Sequence, residues 1–428
     1  MTSARRLPLT TRIRDTFADP VLRALTVATL ISTVGRGVSL TLVVLYLSLV
    51  AGLPADQVAL VFAIGSGIGI AASYLGGHLA DTVSARRLLV GCVVLAGIAL
   101  AAVALVTEFW GAVVTEALVS IALGANGSVR SAIIARAFTA EARVTSRAVL
   151  RTVTNVGITI GTGVGAIALA LGAPEAYRTI LVAGGLAYAT SALLLVRLPA
   201  RVDAPSRAEQ AGSAEGDADA VVAVRGPWRD PRYLLFSVLA AVFAIQFVVL
   251  NVGIPLWVAH DTVAPEYLVS IMFIVNTVLV IALQVPLSRG THDLRRAGNV
   301  TAVAGVLMAL GCVLYGAAAG TPLLATIVLL VAASVLHALS EVLSQSGAWG
   351  LSFELADPRR PGAYQGMFSM TFAIASMVGP IVITWTAISL GLVGWVILAA
   401  MFLMAAVGVT VIAHRAAREA DCREALAR

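Results

Sequence analysis

The sequence predicts an all-α integral membrane protein of twelve transmembrane helices in two pseudo-symmetric six-helix bundles. Three observations predict it. Of its 428 residues, 59% are hydrophobic and 12% charged, against roughly 45–50% and 25% in a soluble domain. Apolar runs long enough to cross about 30 Å of hydrocarbon recur along the whole chain. One polar stretch interrupts them near the middle and leaves six runs on either side. The +6 formal charge does not point to nucleic acid, because basic residues in such a chain are distributed first by membrane topology. Cys92, Cys312 and Cys422 are scattered, so neither a disulfide framework nor a metal site is expected. No phosphate-cradling glycine loop, zinc helix motif or nucleophile elbow occurs, which weighs against an ATP-driven pump or an enzyme and predicts no cofactor.

The runs lie near 22–50, 57–80, 88–107, 110–135, 149–171 and 179–197, then 233–259, 267–288, 299–319, 322–350, 364–390 and 392–413. The first follows an Arg-bearing segment as a secretion signal would, but it is too long and lacks a small-residue cleavage site, so it reads as a retained helix. All 29 basic residues are Arg. With a cytoplasmic N-terminus, every arginine except Arg36 and Arg178 falls at or beyond an inner helix end, including Arg130 and Arg151 at helix ends and Arg136, Arg143 and Arg147 in the loop after the fourth run. The positive-inside rule then requires an even helix count and places both termini in the cytoplasm, with the chain in a cytoplasmic (inner) membrane.

Residues 198–231, with RVDAPSRAEQAGSAEGDADA at their core, are polar, without apolar periodicity, and read as a flexible cytoplasmic linker. The expected organisation is an N-terminal bundle over 1–197, the linker, a C-terminal bundle over 232–414 and a cytoplasmic tail over 415–428. An internal echo supports two repeats: the second run leaves the membrane through GGHLADTVSARRLL and the eighth through PLSRGTHDLRRAG, each an acid followed by paired arginines.

Several local patterns carry a family resemblance. After the second run come Gly77, Asp81 four residues on, and the basic turn Arg86-Arg87, with Thr82, Ser84 and Ala85 at positions where the pattern usually has a basic residue, a glycine and another basic residue. The fifth run carries Gly157, Gly161, Gly163 and Gly165, with Thr162 in place of a proline. A basic turn after the tenth run leads into Tyr364-Gln365-Gly366. Together with helix count and linker position, these patterns make the chain similar to the major facilitator superfamily, most of all to its bacterial drug/proton antiporters. The resemblance implies the major facilitator fold, a central cavity lined by the first, fourth, seventh and tenth helices, and a cytoplasmic latch at Gly77, Asp81, Arg86 and Arg87. The bland alternative leaves Asp81 ending a helix in solvent. The glycine run is similar to an exporter motif, or serves only close packing. Two departures count against particular subfamilies: the fourth run, with Glu116 as its only acid, lacks an Arg four residues before a glycine, and the first lacks the paired glutamates of peptide symporters.

Charge inside the bilayer costs at least about 2.5–3.5 kcal/mol per group, so each such group needs a partner, water or a proton. Arg36, Glu116, His337 and Glu341 are the groups in question, and all fall on helices that the resemblance assigns to the cavity. His337 and Glu341, four residues apart on one helix face, are proton-coupling candidates with Glu116. A structural alternative makes them fixed interhelical hydrogen bonds. Arg36 is a cavity candidate with Gln246, Asn251 and Trp257 of the seventh run, and Arg36 and Glu116 form either an ion pair or a switchable one, about 10 Å apart in depth. An apolar lining with few charges argues against a highly charged substrate. The resemblance thus implies a monomeric secondary transporter exchanging protons for a small hydrophobic or amphipathic compound, such as a drug, across the bilayer. An uptake symporter for a sugar or peptide, and a non-transporting membrane sensor, are the alternatives.

Overall fold

The computed structural model describes residues 19–203 and 226–427, so most of the predicted linker lies outside the described residues. Twelve helices are long and apolar enough to cross a membrane. They are α1 (Pro20–Val50), α2 (Asp56–Ala80), α3 (Ala85–Leu105), α4 (Phe109–Ala137), α5 (Ala140–Leu171), α6 (Pro174–Leu195), α7 (Pro231–Asp261), α8 (Tyr267–Leu287), α9 (Leu294–Ala317), α10 (Leu323–Glu354), α11 (Pro361–Ile388) and α12 (Leu392–Arg423). No strand occurs among the described residues. Lipid offers backbone groups no hydrogen-bond partner, and the helix is the open-chain structure that satisfies them internally.

Helix starts are set by side chains the sequence displays openly. Asp19 caps α1, accepting from the Val21 amide at 2.7 Å, and Asp230 caps α7, accepting from Arg232 and Tyr233 at 3.1 Å. Each is followed by a proline at the first helical position, where no amide is missed. The internal echo resolves the same way: Ser84 caps α3 through the Arg87 amide, and Asp293 caps α9 through that of Arg296.

Within the first half α1 packs on α5 and α6, α4 on α2 and α3, and α3 on α6; in the second, α9 packs on α10 and α12, α8 on α10, and α7 on α11 and α12. The halves meet through α2 and α4 against α11, and α5 against α8 and α10. Two helix limits depart from the sequence expectation. Helix α5 begins at Ala140, not near 149, which carries Arg143 and Arg147 out of the expected loop and into the junction between halves. The last helix continues to Ala427 instead of stopping near 413. Its extension is held by Arg232 to Glu419 at 2.6 Å and by Arg295 to Asp421. Both segments are polar, so hydropathy alone ends the helix where tertiary partners prolong it.

Three of the four α5 glycines serve the α1 interface. A Cβ on Gly161 would meet the Val34 carbonyl and lie 2.9 Å from the Gly37 Cα, one on Gly157 would meet the Thr33 hydroxyl, and one on Gly165 would come within 2.8 Å of the Thr41 Cβ. Gly163 faces open space. Gly161→Ala is therefore expected to cost about 1–3 kcal/mol of stability through overpacking, and Gly163→Ala to be nearly neutral, as read from thermal unfolding in detergent.

Candidate functional site

The two halves are joined by a set of polar and ring contacts at one end of the helices, the end where α6 finishes and α7 begins. Asp81, the residue that ends α2, accepts hydrogen bonds from the Gly362 and Ala363 amides at 2.8 and 2.7 Å, capping the exposed amide groups of α11. Arg136 of α4 holds the same carboxylate at 2.5 Å and also donates to the Ala80 carbonyl at 2.9 Å. Gly77 makes the approach possible: a Cβ there would meet the Gly362 carbonyl and lie 2.7 Å from the Gly366 Cα. Burial pushes the Asp81 carboxyl above its ordinary pKa, against the opposing pull of the Ala363 amide and Arg136. Desolvation thus outweighs the donors.

Of the four predicted latch residues, Gly77 and Asp81 stand at this junction. Arg86 and Arg87 do not: the Arg86 guanidinium donates to the Leu198 carbonyl at 2.9 Å and its amide to Asp203, tying α3 to the end of α6 within the first half. His78, at the end of α2, stacks with Tyr74, whose ring meets Trp228 of the second half edge-on at 5.4 Å. Gln365 of the Tyr364-Gln365-Gly366 segment donates to the Ser352 carbonyl at 2.8 Å, while Gly366 lies against the backbone of Ser73 and Tyr74.

Helix α5 supplies three arginines to the second half. Arg143 pairs with Glu354 at 3.8 Å. Arg147 lies 5.8 Å from the ring centres of both Trp349 and Phe353, a cation–π arrangement whose value grows on desolvation. Arg151 pairs with Glu341 at 2.9 Å and lies 5.4 Å over the Phe247 ring. The second Glu341 oxygen accepts from Asn276 of α8 at 3.1 Å. Glu341 thus joins α5, α8 and α10, and its side chain is only 3% exposed.

Neither Arg151 nor Asn276 stood among the predicted site residues. Position along the chain placed Arg151 at an inner helix end, but it stands three turns inside a helix that starts at Ala140, half-buried and within reach of Glu341. His337, predicted to lie within reach of Glu341, is buried, and its Nδ1 is 3.5 Å from the Tyr315 hydroxyl; no hydrogen bond joins it to Glu341.

Glu116 accepts from Ser120 of its own helix at 3.1 Å and lies against Gly65 of α2. It makes no ion pair with Arg36, so the structure does not bring these two together. Gln246 is buried and donates to Ser344 at 3.0 Å. Asn251 is exposed and donates to Phe247 of its own helix at 2.6 Å, within the π-helical segment Val249–Gly253 that widens α7.

Trp257 lies inside the second half: it is 1% exposed, donates to the Tyr315 carbonyl at 2.8 Å and packs edge-on against Trp395. The indole N–H expected to be available in the cavity is used within the second half. Trp257→Ala is expected to cost about 3–5 kcal/mol of stability while leaving the affinity of the surviving folded fraction unchanged, a split read by thermal unfolding alongside ligand titration. Among the described residues no cluster of His, Cys, Asp or Glu could hold a metal ion.

Comparison with known proteins places this arrangement. Three solved structures share the fold: a bacterial homologue of the iron transporter ferroportin in its outward-facing state (13% identity, 93% of this chain and 99% of that one, TM-score 0.72), the human organic anion transporter MFSD10 (15%, 91% and 99%, 0.69) and the proton:xylose symporter XylE (14%, 90% and 94%, 0.63). At such identity they speak for the fold alone. No curated protein matches the chain by sequence. Residues 25–380 match the Major Facilitator Superfamily, and with twelve candidate spans and a polar junction between its halves the chain belongs to that superfamily of membrane transporters.

Proposed function

We propose that the chain is a proton-coupled exporter of a small hydrophobic or amphipathic compound, working by alternating access in a bacterial cytoplasmic membrane with both termini in the cytoplasm. The observation that carries the reading is the placement of Glu341, a buried carboxylate bonded to Arg151 of the opposite half and to Asn276. While Glu341 is ionised, its pairing with Arg151 holds the linker end closed together with the Asp81 contacts. A proton arriving from outside neutralises Glu341 and leaves Arg151 without its counter-charge. The linker end then opens, substrate enters from the cytoplasm, and loss of the proton to the cytoplasm lets the pair form again and turns the substrate outward. The Asp81 junction works beside it as a latch, and Gln246 and Asn251 contribute polar groups near the path.

Inside-out membrane vesicles test this reading. Acidifying their lumen is expected to drive uptake of exported compounds from a drug panel, and an ionophore that collapses the gradient should abolish it. Movement of substrate in the same direction as the proton would replace export by symport, and no gradient-dependent movement of any compound would remove transport coupling altogether.

A further inference from the structure

The charged groups between the halves are strongly unequal in sign. Beside the Asp81–Arg136 and Arg143–Glu354 pairs, four arginines, Arg36, Arg130, Arg147 and Arg151, stand with two acids, Glu116 and Glu341, and Glu116 is turned toward α2 and Ser120. Of these four, only Arg151 has a carboxylate partner. Arg130 donates to the Thr29 hydroxyl at 3.0 Å, Arg147 rests on two aromatic rings, and no ion pair reaches Arg36 among the described residues. The Nε atoms of Arg130, Arg147 and Arg151 are buried without a hydrogen-bond partner.

Three of these arginines lie near one another. Residues seven apart lie on the same helix face, so Arg36 stands on the face of α1 whose Thr29 touches Arg130. Arg130 is repelled by Arg36, and Arg147 by Arg130, which strings the three together from α1 through α4 to α5. Above Arg36 the same face of α1 continues as Leu40 and Val44, both exposed. The track therefore has an apolar upper wall and a floor of guanidinium groups with donors to spare.

We infer that the substrate is an amphipathic organic anion, a carboxylate, sulfonate or phosphate on an apolar body, whose head is held by Arg130 and Arg147. A planar guanidinium offers paired donors matched to such heads, and an uncompensated positive floor repels cations of the same shape. This replaces the weakly charged substrate expected from the sequence, and it rests on the proposed transport reading only in taking the space between the halves as the substrate path.

The test uses the full chain in phosphatidylcholine nanodiscs and three probes with one apolar body: 2-naphthalenesulfonate, 2-naphthylmethylammonium and 2-naphthalenemethanol, titrated calorimetrically. The sulfonate is expected to bind about tenfold or more tightly than the other two, and Arg130→Gln and Arg147→Gln each to weaken it by about tenfold. Arg201→Gln, at a surface pair with Asp19, should leave it unchanged. A second measurement reads the field without relying on affinity. Leu40→Cys in a Cys422→Ser background is expected to react faster with an anionic than with a cationic methanethiosulfonate, and Arg36→Gln should reduce that preference.

Equal or tighter binding of the ammonium or the alcohol, absence of sulfonate binding, or a labelling preference for the cation would overturn the inference. So would displacement of the sulfonate by phosphatidylglycerol mixed into the nanodisc, which would assign the site to a lipid headgroup. A sulfonate that binds but is not moved by a proton gradient retires proton-coupled export and leaves the anion site standing. Gradient-driven export of the ammonium does the reverse.

Discussion

Glu341→Gln is expected to abolish proton-driven transport while leaving the protein folded and able to bind substrate. The amide keeps the shape but only one acceptor oxygen, so it accepts from Arg151 or from Asn276 and turns its NH2 toward the other, and the group no longer takes up or releases a proton. Removing one partner of a buried ion pair typically costs about 3–5 kcal/mol because the other charge is left uncompensated. Here the cost falls below that range, because the Arg151 side chain is 31% exposed and solvent screens it. The protein is thus expected to fold and to favour the arrangement with its linker end open. Measured in proteoliposomes, gradient-driven flux should drop by about tenfold or more, with the remaining flux independent of pH, while substrate exchange without a gradient survives. Persistence of normal pH-dependent flux in the variant would remove Glu341 from the coupling role.

Asp81→Asn is the second large effect, expected in conformation before it is seen in rate. The carboxylate serves Arg136 and two α11 amides at once, and an uncharged side chain keeps at most part of that set. Charge-assisted hydrogen bonds contribute about 1.5–3 kcal/mol each, and an anion at a helix N-terminus adds up to about 2 kcal/mol in partly buried geometry. Losses of that size shift an equilibrium between closed and open linker ends by at least about tenfold. Spin labels on Leu79→Cys of α2 and Arg359→Cys before α11, both exposed positions, should report a longer and broader distance after Asp81→Asn. Arg86→Gln is expected to leave that distance unchanged, since Arg86 binds the end of α6. An unaltered distance in the Asp81 variant would reduce its role to helix capping.

The positions of these two acids show how far the sequence could be read. Asp81 was legible because its spacing from Gly77 is local, and the same two residues meet α11 in the structure. Glu341 was legible as an expensive group in an apolar run. Its partner was not, because Arg151 is 190 residues away and its helix begins earlier than hydropathy indicates. Arg147 was hidden for the same reason: a basic residue beside a polar segment reads as loop until the rings of Trp349 and Phe353 are seen to cover it. The opposite holds for Trp257, expected in the cavity from its place on the seventh helix, whose indole N–H is satisfied by the Tyr315 carbonyl inside one half.

What the sequence determined alone was the membrane class, twelve spans and the division into six and six, because a bilayer acts on composition over windows of about 20 residues and that information is contiguous. The caps at Asp19 and Asp230 belong to the same category, each being a contact within three residues. Only the tertiary structure decided which charges face each other: that Asp81 meets Arg136 while Arg86 binds the end of α6, that Glu116 stays apart from Arg36, and that Arg151 crosses to Glu341. Ion pairing inside a membrane depends on distances of a few ångströms between helices far apart in the chain, and the energy of a charge there is set by the neighbour that the fold supplies.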